Sequence, residues 1–206
     1  MKTYTPRLLV ILTLAISSLS AVEINYTSPA FEIGKTSTGD PLTNGFTFEL
    51  GSFSVFTPTA GNLAQWHANF TVLGTTNWDE SFTQFSNTAT LSSNAAPFGT
   101  STQSFIWGYN FDTPSSSTEW ILFTNPSWIF PASATVLPVS WDISDAGTIA
   151  IIGSLAGSLG ADPYLQTAAV TAVPEPSAYA ALIGLTAFGF AWTRRRRFWT
   201  NKGRPR

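Results

Sequence analysis

The chain has 206 residues, of which 44% are hydrophobic, 14% aromatic and 11% charged. Because disordered chains are rich in charge and poor in large aromatic residues, this composition excludes a largely disordered protein and allows one or two packed domains. The sequence contains no cysteine, which excludes a disulfide scaffold, thiol catalysis and cysteine-ligated metals.

The charged residues are divided between the ends and the middle of the chain. Residues 21–173 contain one basic residue, Lys35, and eleven acidic residues, hence a net charge of −10. The other nine basic residues lie at the termini: Lys2, Arg7, Arg194, Arg195, Arg196, Arg197, Lys202, Arg204 and Arg206. Since so acidic a middle repels phosphate, we expect no nucleic-acid partner.

Residues 1–21 have the pattern of a secretory signal peptide. Two basic residues open it, residues 8–16 form a short apolar stretch, and small residues follow. Cleavage after Ser20 places small residues at the −3 and −1 positions, and cleavage after Ala21 fits nearly as well. The apolar stretch is too short to span a hydrocarbon layer of about 30 Å comfortably. We therefore expect export through Sec-type machinery, with a buried N-terminal helix as the alternative.

Residues 22–162 repeatedly alternate apolar and polar residues, which is the pattern of β-strands with one buried face. The apolar faces of four such runs are Phe46, Phe48 and Leu50; Trp66, Ala68, Phe70 and Val72; Phe105, Trp107, Tyr109 and Phe111; and Leu137, Val139, Trp141 and Ile143. Turn-forming residues separate the runs. The pattern predicts an all-β extracytoplasmic domain, either an antiparallel sandwich or a jelly-roll-like fold.

Two neighbouring runs are predicted to pair as strands. They cover residues 105–110 and 119–123, and a polar connector joins them. Residues 147–159 are punctuated by Gly and Ser and are predicted to form a last strand and turn. Residues 167–173 are small and weakly polar, so we expect a linker, with bounds 163–173, between the domain and the C-terminal segment.

Groups that could carry catalysis are few. His67 is the only histidine, and its place on the polar face of a predicted strand indicates a surface residue. The acid pairs Asp79–Glu80 and Asp142–Asp145 have the spacing of loop and strand-end residues, which disfavours glycoside hydrolysis. We expect no enzyme activity, no cofactor and no metal. Calcium bound by acidic loops is the remaining alternative, although no Asp-x-Asp-x-Asp-Gly loop occurs.

Six tryptophans lie in the middle of the chain. Four fall on alternating apolar faces and are assigned to the core: Trp66, Trp107, Trp120 and Trp141. Trp78 and Trp128 sit among turn-forming residues, where an exposed indole could stack against a sugar ring. These two are candidates for ligand stacking, with a core position as the alternative.

The C-terminal segment has three parts in a fixed order. Pro174, Glu175 and Pro176 come first, the apolar residues 177–193 follow, and Arg194, Arg195, Arg196 and Arg197 close the segment. Since proline does not fit inside a helix, a helix is expected to begin at Ser177, a good N-cap. It would be about 25 Å long at 1.5 Å per residue. The sequence thus predicts a single, marginal transmembrane helix, with an ordinary tail anchor as the alternative.

The arginine block predicts the orientation of this helix. Clustered arginines stay on the cytoplasmic side of a membrane. Because basic residues flank both apolar segments on their outer sides, both termini of the precursor are expected in the cytoplasm and the acidic middle outside. The basic residues 198–206 would form a cytoplasmic tail.

This tail resembles the PEP-CTERM sorting signal of Gram-negative bacteria. The resemblance covers residues 174–197, from the Pro-Glu-Pro motif to the arginines. It implies recognition by an exosortase, an integral-membrane cysteine protease or transpeptidase, and processing near the motif. The extension after Arg197 departs from the common pattern. The block of residues 105–131 is similar to a domain of uncharacterised PEP-CTERM cargo proteins, which implies an architecture but no activity.

The sequence therefore predicts an exported, non-enzymatic protein of the cell surface or extracellular polymeric matrix. Its precursor would be anchored in the inner membrane and sorted by an exosortase. The alternative is a carbohydrate- or calcium-binding module delivered by the same signal, with matrix polysaccharide as a partner.

Overall fold

In the computed structural model, the described residues are 21–135, 137–171, 183, 185 and 186. Short strands dominate this part, so the all-β prediction is confirmed for it. A 3₁₀ turn (Leu63–Gln65) and a four-residue helix, α1 (Trp66–Asn69), interrupt the strands. The strands are β1 (Val22–Thr27), β2 (Gly34–Lys35), β3 (Thr47–Ser52), β4 (Thr71–Asn77), β5 (Ser86–Leu91), β6 (Phe105–Tyr109), β7 (Thr118–Thr124), β8 (Val139–Asp142), β9 (Ile149–Ile152), β10 (Ser154–Leu155), β11 (Leu165–Gln166) and β12 (Ala168–Val170).

The largest sheet has six strands in the order β12-β7-β6-β3-β4, with β9 as a further partner of β7. The predicted pairing of β6 and β7 is confirmed: the strands are antiparallel, with Ile106 opposite Phe123. On the other edge of β7, residues 118–120 pair with β12 and residues 122–124 pair with β9. Strand β7 therefore joins the centre of the sheet to the C-terminal strands.

A three-stranded sheet, in the order β5-β1-β8, packs on one face of the six-stranded sheet. Their facing side chains form the main core, in which Phe48 of β3 stacks on Phe85 with ring centroids 4.1 Å apart. Strands β1 and β8 are parallel, as are β2 and β11 in a small third sheet. The predicted antiparallel arrangement is confirmed for the other strand pairs of the described part and does not hold for these two. Parallel neighbours need a long connection, and residues 28–138 separate β1 from β8.

The other face of the six-stranded sheet is covered by the segment between β3 and β4. Trp66 of α1 stacks on Trp120 of β7, with ring centroids 5.4 Å apart, and Phe70 meets Trp107 edge to face at 5.5 Å. Because both faces of the sheet are covered here, five consecutive residues of β7, from Trp120 to Thr124, are buried.

The predicted strand through Trp66, Ala68, Phe70 and Val72 is wrong in its first half. Trp66–Asn69 form α1, and the extended strand begins at Thr71. Residues four apart lie on one face in a helix as well as in a strand, so alternation alone cannot separate one helical turn from a strand. The turn is held by Asn62, whose Oδ1 accepts hydrogen bonds from Thr59 N and Trp66 Nε1, both at 2.8 Å.

The folded domain extends beyond the predicted boundary at residue 162. Within the predicted linker of residues 163–173, Leu165 and Val170 are buried, and β11 and β12 pair with β2 and β7. The linker prediction is therefore corrected: the strands continue to Val170. Likewise, β9 and β10 form in residues 147–159 but are not the last strands. Short edge strands depend mainly on backbone hydrogen bonds, so their small side chains resemble those of a linker.

Tyr26 makes the main core sensitive to alkaline pH. Its side chain is fully buried in β1, and burial raises its pKa from 10.0 to about 12. The folded state thus holds this proton where the unfolded state releases it. Stability is complete below about pH 10 and falls between pH 10 and 12, by about 2–3 kcal/mol in total. Urea unfolding of the full chain should show this loss, and Tyr26→Phe should reduce it by the Tyr26 share, since the raised pKa values of Tyr109 and Tyr164 also contribute to the alkaline loss. An equal alkaline loss in the variant would contradict the assignment.

Candidate functional site

Most residues of the two predicted targeting segments lie outside the described residues. These include Ser20, Pro174, Glu175, Pro176, Arg194, Arg195, Arg196 and Arg197. Ala21, the alternative cleavage position, is exposed and directly precedes β1. Residues 183, 185 and 186, inside the predicted transmembrane segment, are helical and exposed. No helix in the described part is both long and apolar enough to cross a membrane.

The last strand of the folded domain lies at an edge of the six-stranded sheet, and the C-terminal tail follows it in the chain. Strand β12 pairs antiparallel with β7, with Val170 opposite Thr118. Val170 is buried, whereas Thr171 is exposed. Pro174 follows three residues later, so even a fully extended chain covers only about 11 Å from Thr171 to Pro174. At most about this length of chain therefore separates the exit at Thr171 from the Pro-Glu-Pro motif.

A carboxylate holds the segment that leads to this exit. Glu119 of β7 accepts a hydrogen bond from Thr167 Oγ1 at 2.6 Å. It also accepts hydrogen bonds from Ser37 N at 3.0 Å and from Ser37 Oγ at 2.5 Å. We call Glu119, Ser37 and Thr167 the Glu119 latch. Charge-assisted hydrogen bonds of this kind are among the stronger ones, so the latch fastens the start of β12 to the sheet.

Two further acids tie loops next to the latch. Lys35 forms an ion pair with Asp162, and both carboxylate oxygens of Glu32 accept hydrogen bonds from Gly160 N, at 3.0 and 2.9 Å. Lys35 is the only lysine or arginine among the described residues. Because it is paired, the surface of the described part carries acidic charge with no unpaired lysine or arginine to offset it.

His67 lies on α1 instead of the predicted strand, and its side chain is exposed. Its Nδ1 is 3.3 Å from Asp112 Oδ2. On the neighbouring strands, burial raises the pKa of Glu49, which is hydrogen-bonded to Tyr109. Burial and the Glu49 carboxylate together raise the pKa of Tyr109. Among the described residues, no hydrogen bond joins His67 to a serine or threonine hydroxyl group; its imidazole faces the Asp112 carboxylate, near the half-buried Glu49.

The structure corrects the prediction that Trp78 and Trp128 offer stacking surfaces. Trp78 is 2% exposed and Trp128 is fully buried. Trp128 Nε1 donates to Asp145 Oδ2 at 3.0 Å, and its ring stacks on Trp141 with centroids 6.2 Å apart. A buried indole face cannot meet a sugar ring, so both residues belong to the core. The core assignments of Trp66, Trp107, Trp120 and Trp141 are confirmed.

A metal site in the described part of the chain would need several acidic or imidazole side chains close together. There, no three His, Cys, Asp or Glu side chains are grouped so that they could hold a metal ion. The acids instead accept hydrogen bonds from nearby backbone groups: Asp142 Oδ1, for example, accepts from Ser144 N at 2.8 Å. The acidic loops of this part thus use their carboxylates to shape turns.

Sequence reasoning missed the Glu119 latch. Its contacts join residues 82 and 48 positions apart in the chain. Nothing in the local pattern distinguishes Glu119 from any other glutamate on a strand. The only available signal was the pairing of β7 with a later strand, and the small side chains of residues 167–171 made that strand resemble a linker.

Comparison with known proteins adds one finding. The family model of the PEP-CTERM protein-sorting motif matches residues 172–197. The match begins directly after Thr171, where the described domain ends, and includes the Pro-Glu-Pro motif and the arginine block. No curated protein and no solved structure matches the chain.

Proposed function

We propose, from the premise that this chain carries a PEP-CTERM protein-sorting motif, that it is a non-enzymatic protein of the cell surface or extracellular matrix, delivered there by an exosortase. The motif supports exosortase-dependent sorting of an exported protein. The observation that carries the proposal is the match over residues 172–197, which coincides with the tail that the sequence singles out. The placement of the basic residues supports it independently, since lysine and arginine on the outer sides of both apolar segments favour the cytoplasm and leave the middle outside.

The proposed route has four steps. Sec-type machinery exports the chain, and the apolar residues 177–193 retain it in the inner membrane with the arginine block in the cytoplasm. An exosortase then recognises Pro174, Glu175 and Pro176 on the outer side. Cleavage or transfer near this motif releases the domain to the cell surface or the matrix.

The short length of chain between the domain and the motif supports a spatial constraint on the third step. About 11 Å of chain at most separates Thr171 from Pro174, so the exosortase would work beside the edge of the folded domain. Cleavage near the motif would leave β12 and the Glu119 latch intact, because both end at or before Val170. The released product would therefore keep its fold.

Changes in the tail test the proposal. Glu175→Ala, or deletion of Arg194, Arg195, Arg196 and Arg197, should leave unprocessed or mislocalised precursor. The first removes the charged residue of the motif, and the second removes the cytoplasmic stop. The measurements are cell fractionation and mass spectrometry of the mature C-terminus in the native host.

Deletion of residues 203–206 is the matched control, since it removes basic residues that lie beyond the matched segment. This variant should be processed normally. Normal processing and normal location of both tail variants would refute the proposed route.

A further inference from the structure

An open cleft of about 640 Å³ lies where the loop before β3 meets the turn between β4 and β5. Its lining includes Asn44, Asn77, Asp79, Phe82 and Gln84, and we call it the Phe82 cleft. Its two sides are tied together, because Asn44 N donates to Glu80 Oε1 at 2.7 Å and Glu80 N donates to Asn44 Oδ1 at 3.0 Å. The shape of the cleft is thus set by the fold itself.

Phe82, which lines this cleft, contacts a second exposed phenylalanine, Phe31, outside the lining. Phe82 is 50% exposed and Phe31 is 73% exposed, and their rings meet edge to face with centroids 6.0 Å apart. Phe31 N donates to Phe82 O at 2.7 Å, which couples the two turns. The ring contact and this hydrogen bond hold the two exposed rings in a defined position relative to each other.

The backbone is strained at Phe31 and at Thr83, the residue after Phe82. Phe31 has φ +65° and Thr83, next to Phe82, has φ +44°, values in the left-handed region that non-glycine residues rarely adopt. Asp79 Oδ1 accepts hydrogen bonds from Ser81 N and Phe82 N, at 2.8 and 3.3 Å, and so stabilises the second turn. Strain of this kind persists where the surrounding structure enforces it, often at binding sites.

The polar groups of the cleft have unused hydrogen-bonding capacity. Within the described part, the Gln84 side-chain amide forms no hydrogen bond. Asn77 is bonded only through its Oδ1, at 3.5 Å from Thr47 Oγ1, and Asp79 Oδ2 is also free. Amide donors and a carboxylate acceptor beside an aromatic ring match a sugar, whose hydroxyl groups both donate and accept and whose C–H faces are apolar.

The negative charge of the domain disfavours acidic sugars as ligands. Residues 21–173 carry a net charge of −10, and their only basic residue, Lys35, is paired with Asp162. An acidic polysaccharide would therefore be repelled. We propose that the Phe82 cleft binds a neutral polysaccharide, with Phe82 stacking on a sugar ring and Asn77, Asp79 and Gln84 hydrogen-bonding its hydroxyl groups. This inference rests on the proposed function, because it names a ligand for the proposed matrix protein.

Binding assays on the full chain test the cleft. The protein is solubilised in a detergent without a sugar head group and titrated with neutral glucan, galactan, mannan and xylan, and with acidic alginate and polygalacturonate. At least one neutral polymer should bind and the acidic ones should not. Phe82→Ala should weaken that binding about tenfold, as expected for an aromatic residue at the centre of an interface. Gln84→Leu, which removes the amide at similar volume, should weaken it as well.

Phe111→Ala is the matched control, because Phe111 is 55% exposed but does not line the cleft. Its binding should equal that of the unchanged chain, and circular dichroism checks that all variants are folded. Absence of binding to every neutral polymer, equal binding of the acidic ones, or undiminished binding by both cleft variants would overturn the proposal. Sorting plays no part in these titrations, so their failure is distinct from a failure of the exosortase route.

Discussion

Trp120→Ala should lower the free energy of unfolding by about 3–5 kcal/mol, the usual cost of truncating a buried tryptophan. Trp120 is fully buried, stacks on Trp66 and meets Trp107 edge to face with centroids 4.8 Å apart. Its Nε1 donates to Phe111 O at 2.6 Å. The substitution would open a cavity between sheet and covering segment and would leave that carbonyl oxygen without its donor.

The effect is large because of where Trp120 lies. It joins α1 to β7, and α1 is too short to persist without packing. Urea unfolding of the full chain, followed by fluorescence, measures the loss. Trp120→Phe should cost less, since it keeps an aromatic ring and loses the hydrogen bond. Val55→Ala, at a residue that is 98% exposed, should change stability little. A Trp120→Ala variant as stable as Val55→Ala would show that the packing of the covering segment on the six-stranded sheet is dispensable.

Glu119→Ala should have the second largest effect, a loss of about 2–3 kcal/mol, because it removes a charged acceptor from three donors. Thr167, which is 4% exposed, would be left with a buried hydroxyl group facing no acceptor. We expect the loss to be concentrated at β11 and β12. Hydrogen exchange measured by mass spectrometry should therefore show faster exchange over residues 163–171 than over β6.

Two variants check that this effect comes from the latch. Glu119→Gln keeps one acceptor oxygen but turns an amide donor toward the remaining donors, so it should restore only part of the protection. Glu23→Ala removes an exposed carboxylate from β1 and should leave exchange at residues 163–171 unchanged. Uniform acceleration across all strands in Glu119→Ala would contradict a local role. If the latch holds as expected, releasing it would also lengthen the free chain before Pro174.

Some of the fold could be predicted because its signals are local. The pairing of β6 with β7 follows from two aromatic runs on either side of a polar connector, and neighbouring runs commonly form hairpins. Trp107 and Trp120 could be assigned to the core because they lie on apolar faces of these runs. Trp78 and Trp128 were ambiguous because turn-forming neighbours do not reveal whether a turn folds over or away from the core.

The candidate sites likewise differ in whether their signals are local in the sequence. The Pro-Glu-Pro motif and the arginine block are each continuous stretches of sequence, so they can be recognised without a structure. The family model matches them at residues 172–197. The Phe82 cleft was missed, because it combines a loop before β3 with a turn after β4. An exposed phenylalanine between turn residues was the one available signal, and only burial values distinguish it from a core residue.

The sequence by itself determined the β-rich class, the aromatic core and the sorting tail, because composition, alternation and contiguous motifs depend on neighbouring residues. The tertiary structure alone decided the parallel pairing of β1 with β8, the extension of the domain to Val170 and the exposure of Phe31 and Phe82. These features depend on contacts between residues far apart in the chain. Such contacts form only when the whole core has assembled, so no local window contains them.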